Sequence, residues 1–392
     1  MRKIEFVLPE ELKVPPLVVV EQHFDRSDLE MRIGRLPQLI KRIFKVENVY
    51  IRLINEEGNW IRTGVDGIVV EERTGENPCD FTIVAPGTVS IDDIDIDPRV
   101  KEGIIKNDVA ELKSYVGHSL ETGLGSRMGV LCAWGTLPRK FSTEELEMFE
   151  DISFWVEREI SSFRELDRAS EVQQGLLPRD DISIPGYEFA GFCRPHFSVG
   201  GDFYDWFETS EGAAFTLADV MGKGIASAII AASVRSTIRA TSQNHQAELV
   251  LKKVVEALEP DLQRAGSFVT LIYGQLDTST HRVSYIDAGH GLSLHVQKDG
   301  RVSKLTTSNY PIGAGPIEEW ELLDIKMEPG DTLLMLSDGF LDIFEGSLER
   351  FSQLSELAVA SKDAKGLVVE LQKLVENAVT PDDVTALILR RW

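Results

Sequence analysis

Gly-Gly-Asp-Phe-Tyr-Asp at 200–205, Asp-Val-Met-Gly-Lys-Gly at 219–224, Leu-Ser-Asp-Gly at 336–339 and Asp-Asp-Val-Thr at 382–385 decide how this chain is read. Each block joins an aspartate to a strand-like apolar run or to a glycine turn. Asp219 ends the run Phe-Thr-Leu-Ala, and Asp338 ends Leu-Leu-Met-Leu-Ser. Asp202 and Asp205 stand beside aromatic residues, and Asp382 precedes another strand-like run. Carboxylates held on strand ends suit hard, oxygen-preferring cations. Gathered without a counter-charge they would repel and raise one another's pKa. Divalent cations relieve that repulsion. A single Asp-Gly pair is ordinarily a turn, but all four blocks in this order point to a two-metal hydrolase. Gly289-His290-Gly291 is weaker, and its histidine is read equally as a turn residue or as a functional one.

Two other readings of these blocks fail. The signature of a diguanylate cyclase wants a second acidic residue directly after the aspartate, where this chain has Phe203. Gly222-Lys223-Gly224 lacks the Ser or Thr and the glycine spacing of a phosphate loop. The net charge of -23 argues against a phosphate-backbone binder. Cys79, Cys132 and Cys193 form neither a CxxC pair nor a zinc cluster. Cys132 sits in an apolar run and is read as a buried structural thiol. The odd cysteine count suits a reducing cytoplasm, and no apolar run is long enough to span a membrane.

The 392 residues suffice for two or three domains. Residues 1–25 are expected to be an extended lead. A helix is expected through Leu29, Ile33, Leu36, Leu39, Ile40 and Ile43, followed by strands at 49–54, 68–70, 81–84 and 128–134. Ser142 or Thr143 is the expected N-cap of the next helix. Phe149, Ile152, Val156, Ile160, Phe163, Leu166, Ala169, Val172 and Leu176 recur at a mean step of about 3.4, near the heptad value. Two readings stand: a coiled coil that pairs two chains, or one long helix lying on its own domain. Beyond Ile182, strands at 189–192, 213–218, 268–273, 283–286, 292–296, 332–336 and 385–389 alternate with helices near 225–241, 246–264 and 364–378. That mixture predicts a layered α+β domain.

With these residues in view, 166–392 resembles the SpoIIE-type branch of the metal-dependent (PPM) serine/threonine protein phosphatases. The likeness runs from Leu176-Leu177-Pro178 through the four aspartate blocks, Asp287-Ala-Gly-His and Pro311-Ile-Gly. It implies an α/β/β/α sandwich of two antiparallel sheets and a pair of Mn2+ or Mg2+ ions. By analogy Asp219 bridges both ions and the Val220 carbonyl adds a ligand. Asp202 then serves one ion, Asp338 and Asp382 the other, and Asp205, Asp383 and His290 stand behind them. The implied reaction is hydrolysis of phosphoserine or phosphothreonine on a partner protein, such as an anti-sigma-factor antagonist, by a hydroxide held between the ions. A non-catalytic pseudophosphatase scaffold is the alternative. Residues 26–148 resemble a GAF sensor domain, through Ile91-Asp-Asp-Ile-Asp-Ile-Asp-Pro-Arg, Tyr115-Val-Gly-His-Ser-Leu and Pro138-Arg-Lys-Phe. Its antiparallel sheet would take an unidentified ligand, and Phe81, His118 and Trp134 are read as pocket lining or as core. The expected plan is an extension (1–25), a sensor (26–148), a connector helix (149–178) and a phosphatase domain (179–392). The expected whole is a cytoplasmic homodimer with no nucleic-acid or membrane partner.

Overall fold

The computed structural model describes residues 33–392, except 56–57, 65, 72–76, 108, 123–124, 179–181, 243–244, 306–308, 316–318, 345–350, 377 and 379. The expected lead over 1–25 and the helix start at Leu29 lie outside the described residues. The chain divides into two compact units, residues 1–167 and 168–392.

In the first unit, α1 (Leu36–Phe44) precedes β1 (Asn48–Ile54), β2 (Trp60–Gly64) and β3 (Gly67–Glu71). The short helix α2 (Pro78–Thr82), β4 (Thr88–Ile91), α3 (Pro98–Lys101), β5 (Ser114–Glu121) and β6 (Arg127–Gly135) follow. The six strands form one antiparallel sheet in the order β3-β2-β1-β6-β5-β4. Because side chains alternate along a strand, Ile51, Leu53, Val116, Leu131 and Ala133 fill one face. Tyr115, Val130 and Cys132 fill the other, against Cys79 and Ile83. The strand expected at 81–84 is not formed. Asn77 Oδ1 accepts the Cys79 and Asp80 N–H groups at 3.0 and 3.3 Å, and Pro78 opens the turn, so α2 forms instead. Phe81 and Trp134 pack on the face of the sheet that carries Cys132. His118 alternates with Tyr115 and Gly117 onto the opposite face, where Glu150 is the charge that acts on it most strongly, and bonds Thr88 Oγ1 at 2.8 Å. The three residues therefore share no pocket.

Helix α4 (Thr143–Leu176) starts at a capping box. Ser142 Oγ accepts the Glu145 N–H at 3.2 Å, and Glu145 returns the bond to Ser142 N–H at 2.9 Å. The periodic stripe along this helix has two parts. Phe149, Val156, Ile160 and Phe163 are buried in the core of the first unit, beside Phe44 and Met128. That half is therefore a helix lying on its own domain. Further on, Ala169 and Val172 are exposed, and Leu166 and Leu176 are half-buried.

The second unit contains β7 (Tyr187–Arg194), β8 (Phe203–Glu208), β9 (Gly212–Val220), α5 (Ile225–Thr241), α6 (Ala247–Ala265) and β10 (Val269–Asp277). Next come β11 (Arg282–Ala288), β12 (Ser293–Val296), β13 (Val302–Lys304), β14 (Leu323–Lys326) and β15 (Thr332–Leu336). Helices α7 (Gly339–Ile343), α8 (Phe351–Ala360) and α9 (Ala364–Glu376) precede β16 (Val384–Arg391). Two five-stranded antiparallel sheets result, ordered β14-β11-β10-β9-β8 and β13-β12-β15-β16-β7. Phe189, Trp206, Phe215, Leu217, Leu333, Met335 and Leu387 interleave between them. The outer face of the first sheet packs Ala214, Ala218 and Leu271 against Val234, Ile238, Val250 and Leu251 of α5 and α6. The outer face of the second packs Leu334, Leu336 and Ile388 against Leu354, Leu367 and Leu371 of α8 and α9. Each buried Val, Leu, Ile, Phe or Met side chain among them contributes about 1.5–3 kcal/mol. The four layers agree with the expected α/β/β/α sandwich. Helices α7 and α8 and the edge strands β13 and β14 were not anticipated. Among the described residues, no helix is long and apolar enough to cross a membrane.

Candidate active site

Strand register brings the aspartate blocks to one end of the sandwich. In the first sheet, Phe203 at the start of β8 pairs with Ala218, and Val220 at the end of β9 pairs with Val269. In the second, Leu336 at the end of β15 pairs with Ala386, and Val384 at the start of β16 pairs with Arg194. Asp383 ties the two together. Its carboxylate accepts the His196 and Gly201 N–H groups, each at 2.7 Å, and that of Asp202 at 3.4 Å. Gly200, Gly201 and Gly339 are required by this closeness. A Cβ on Gly200 would lie 2.3 Å from Asp383 Oδ2, and one on Gly339 would lie 2.1 Å from the Asp383 carbonyl oxygen. A Cβ on Gly201 would lie 2.6 Å from the Val220 carbonyl oxygen. The blocks are thus one another's packing partners. Gln173, near the end of α4, donates to the Gly200 carbonyl at 2.7 Å and accepts its N–H at 3.1 Å.

The carboxylates feel one another. Burial and the neighbouring Asp219 and Asp383 push Asp202 well above the usual carboxylate range. Asp202 Oδ2 is buried and has no hydrogen-bond partner. Burial, then Asp338, Asp382 and Asp383, raise Asp219 to about 7. Burial, Asp382 and Asp342 raise Asp338, and Lys223 counters them. The Lys223 ammonium meets Asp382 Oδ2 at 2.8 Å and also bonds the Pro381 carbonyl. Asp202, Asp219, Asp338, Asp382 and Asp383 are therefore brought together. Asp342 and Lys223 belong to the same electrostatic group, and sequence reasoning missed both. The signal for Asp342 was its position four residues after Asp338, on the same helical face.

Asp205 is placed elsewhere. Its buried carboxylate faces α5, where Arg239 Nε and Nη2 donate to it at 2.5 and 2.7 Å and Arg235 Nε makes an ion-pair contact at 3.2 Å. It clamps β8 to α5 and does not join the cluster. Asp287 accepts the His290 and Gly291 N–H groups at 2.6 and 2.9 Å. The His290 ring lies against the Leu336 carbonyl, two residues before Asp338, and its Nε2 is buried without a hydrogen-bond partner. Burial lowers His290 to about 4, which keeps the imidazole neutral.

These residues fit a pair of hard divalent cations. The donors are all oxygen, one buried carboxylate oxygen lacks a partner, and the mutual repulsion calls for positive charge. As the side chains stand, no three His, Cys, Asp or Glu groups among the described residues are gathered closely enough to hold one ion.

Residues 209–392 match the family described as "Stage II sporulation protein E (SpoIIE)". The chain is 27% identical over 246 residues to the phosphoserine phosphatase RsbU of Bacillus subtilis (strain 168), covering 60% of this chain and 72% of RsbU. It is 27% identical over 192 residues to the phosphoserine phosphatase RsbP of the same organism, covering 47% of this chain and 46% of RsbP. The structure of the SiaA-PP2C domain of Pseudomonas aeruginosa is similar with a TM-score of 0.52 at 20% identity, over 59% of this chain and 97% of that one. The C-terminal unit is thus similar to SpoIIE-type PP2C phosphatase domains and has RsbU-like relatives.

Proposed function

We propose that this domain hydrolyses phosphoserine or phosphothreonine on a partner protein of a partner-switching pathway, an anti-sigma-factor antagonist. One observation carries the reading: aspartates from four distant segments converge at one end of the sandwich, with Asp202 Oδ2 left without a partner. Asp202, Asp219, Asp338, Asp382 and the Val220 carbonyl would hold two Mn2+ or Mg2+ ions. Such a pair, when bound, activates water and offsets the charge of the transferring phosphoryl group.

The remaining work falls to the chain itself. Asp383 fixes the 196–202 loop through three backbone N–H groups and so sets where Asp202 points. Gln173 anchors the same loop from α4. Lys223 offsets part of the carboxylate repulsion by pairing with Asp382. His290, held neutral, keeps the turn before β12 against β15.

The first unit is proposed as a GAF-like sensor for a ligand not yet identified. Leu166, Ala169, Val172 and Leu176 are proposed to pair two chains, in a cytoplasmic setting. Equilibrium dialysis against Mn2+ tests the assignment. Two ions per chain are expected, with binding weakened in both Asp202→Asn and Asp338→Asn. Two ions bound with unchanged affinity by both variants would remove it.

A further inference from the structure

Cys79 lies in the first turn of α2 and Cys132 in the middle of β6, 53 residues away in sequence. In the first unit their sulfurs share a hydrogen bond at 3.2 Å, and both side chains are buried. Two further groups are aimed at them. The Tyr115 hydroxyl, bonded to Thr82 Oγ1 at 2.8 Å, donates to Cys79 Sγ at 3.6 Å. The Arg52 guanidinium is largely buried, which disfavours its charge, and its electrostatic interactions with Cys79 and Cys132 favour it. Its Nη1 bonds Asn77 Oδ1 at 3.3 Å and its Nη2 meets Glu71 at 3.4 Å, while its Nε is buried without a hydrogen-bond partner. Thiols that only fill space need neither a buried cation nor a phenol beside them. A cation and a donor beside a thiol favour the thiolate, which is the reactive form.

We propose that Cys79 and Cys132 form a redox modification site, at which a hydroperoxide converts the two thiols into a reversible intramolecular disulfide. The Cys79 thiolate attacks one peroxide oxygen. The sulfur–oxygen bond forms, the oxygen–oxygen bond breaks, and the departing hydroxide takes a proton to leave as water. The Cys132 thiol then attacks the Cys79 sulfenic acid. The sulfur–sulfur bond forms, the sulfur–oxygen bond breaks, and the Cys132 proton leaves with the hydroxide as a second water. The two sulfurs give up two electrons in all, and the peroxide accepts them. The assignment of Cys79 as attacker agrees with its surroundings, since Cys132, Arg52 and Tyr115 outweigh burial and lower its thiol to about 7. Cys132 is pushed the other way by the hydrogen bond to Cys79 and by burial. Hydrogen peroxide is close to water in size and enters through local opening of the native state. The remaining thiol, Cys193, lies in the second unit with its sulfur bonded to the Asp202 carbonyl at 3.7 Å, and serves as an internal control.

The test treats the full folded chain with hydrogen peroxide, blocks remaining thiols with N-ethylmaleimide in acid, and maps peptides without reduction. The expected result is a peptide linking Cys79 to Cys132, loss of two of the three thiols, and reversal by dithiothreitol. Cys79→Ser should abolish the link and leave Cys132 free for alkylation. Because the linked peptide is read in the unmutated chain, a variant that fails to fold does not decide the matter. Three thiols surviving a dose that oxidises an equal concentration of glutathione would overturn the proposal. So would a link that joins two chains, or one that involves Cys193.

Discussion

Replacing Gly200 with alanine tests how the site is held. The new Cβ would lie 2.3 Å from Asp383 Oδ2 and 2.7 Å from its Cγ. Ordinary contact begins about 1 Å further out, so something must move by that amount. Asp383 cannot swing freely. Its carboxylate holds the His196 and Gly201 N–H groups at 2.7 Å, and its backbone leads directly into β16, where Val384 pairs with Arg194. Relief therefore comes from the loop that carries Asp202, two residues away. Overpacking of this kind costs about 1–3 kcal/mol, and a displacement of ~1 Å at a reacting centre lowers turnover on the order of 100-fold. The assay pairs urea unfolding with manganese-supported hydrolysis of an aryl phosphate. Gly186→Ala is the control. Its φ of 83° strains any side chain, but nothing lies within 4 Å of its added Cβ, and it precedes β7 at the end of the sandwich away from the cluster. That variant should lose about 1 kcal/mol and keep its rate. A Gly200→Ala enzyme with wild-type rate and wild-type metal requirement would refute the reasoning.

Other substitutions separate the roles assigned above. Asp205→Asn should cost about 2–3 kcal/mol in urea unfolding, somewhat less than a fully buried pair because Arg239 is partly exposed. Its manganese affinity should be unchanged, and a weakened affinity would return Asp205 to the site. Gln173→Ala removes two hydrogen bonds to Gly200, worth about 1 kcal/mol each; it should lower kcat several-fold, and an unaltered kcat would show that α4 does not position the loop. Val172→Glu places a charge on the exposed end of the α4 stripe. It should shift sedimentation from dimer to monomer, and a wild type that is monomeric at high concentration would end the pairing proposal.

The strand-end aspartates were legible because an apolar run that stops at an aspartate marks both the strand and its end. Their convergence was expected from the family resemblance and not from any local pattern. Asp383 bonds Gly201 across 182 residues, and no local pattern records such a contact. Asp205 was misread because its aromatic neighbours made it look like part of the site. Alternation along β8 instead sends it to the α5 side with Phe203, toward Arg235 and Arg239, whose spacing of four was the available signal. The run at 81–84 has strand-forming residues, but the Asn77–Pro78 cap prevailed over them. The periodic run of α4 predicted one helix correctly. It could not divide the stripe between the core that holds Phe149 to Phe163 and the open stretch beyond, because both uses follow the same spacing.

The most direct test of the central claim is phosphate release from a phosphoserine-bearing protein substrate, measured for the wild type and for Asp219→Asn. Each is assayed after exhaustive chelation and again after manganese or magnesium is restored. The account predicts no release from the chelated wild type and full recovery with metal. It also predicts a loss of several orders of magnitude in Asp219→Asn, whose circular dichroism should match the wild type, since Asp219 would contact both ions. Undiminished release by wild type shown to be free of metal, or a fully active Asp219→Asn enzyme, would contradict it.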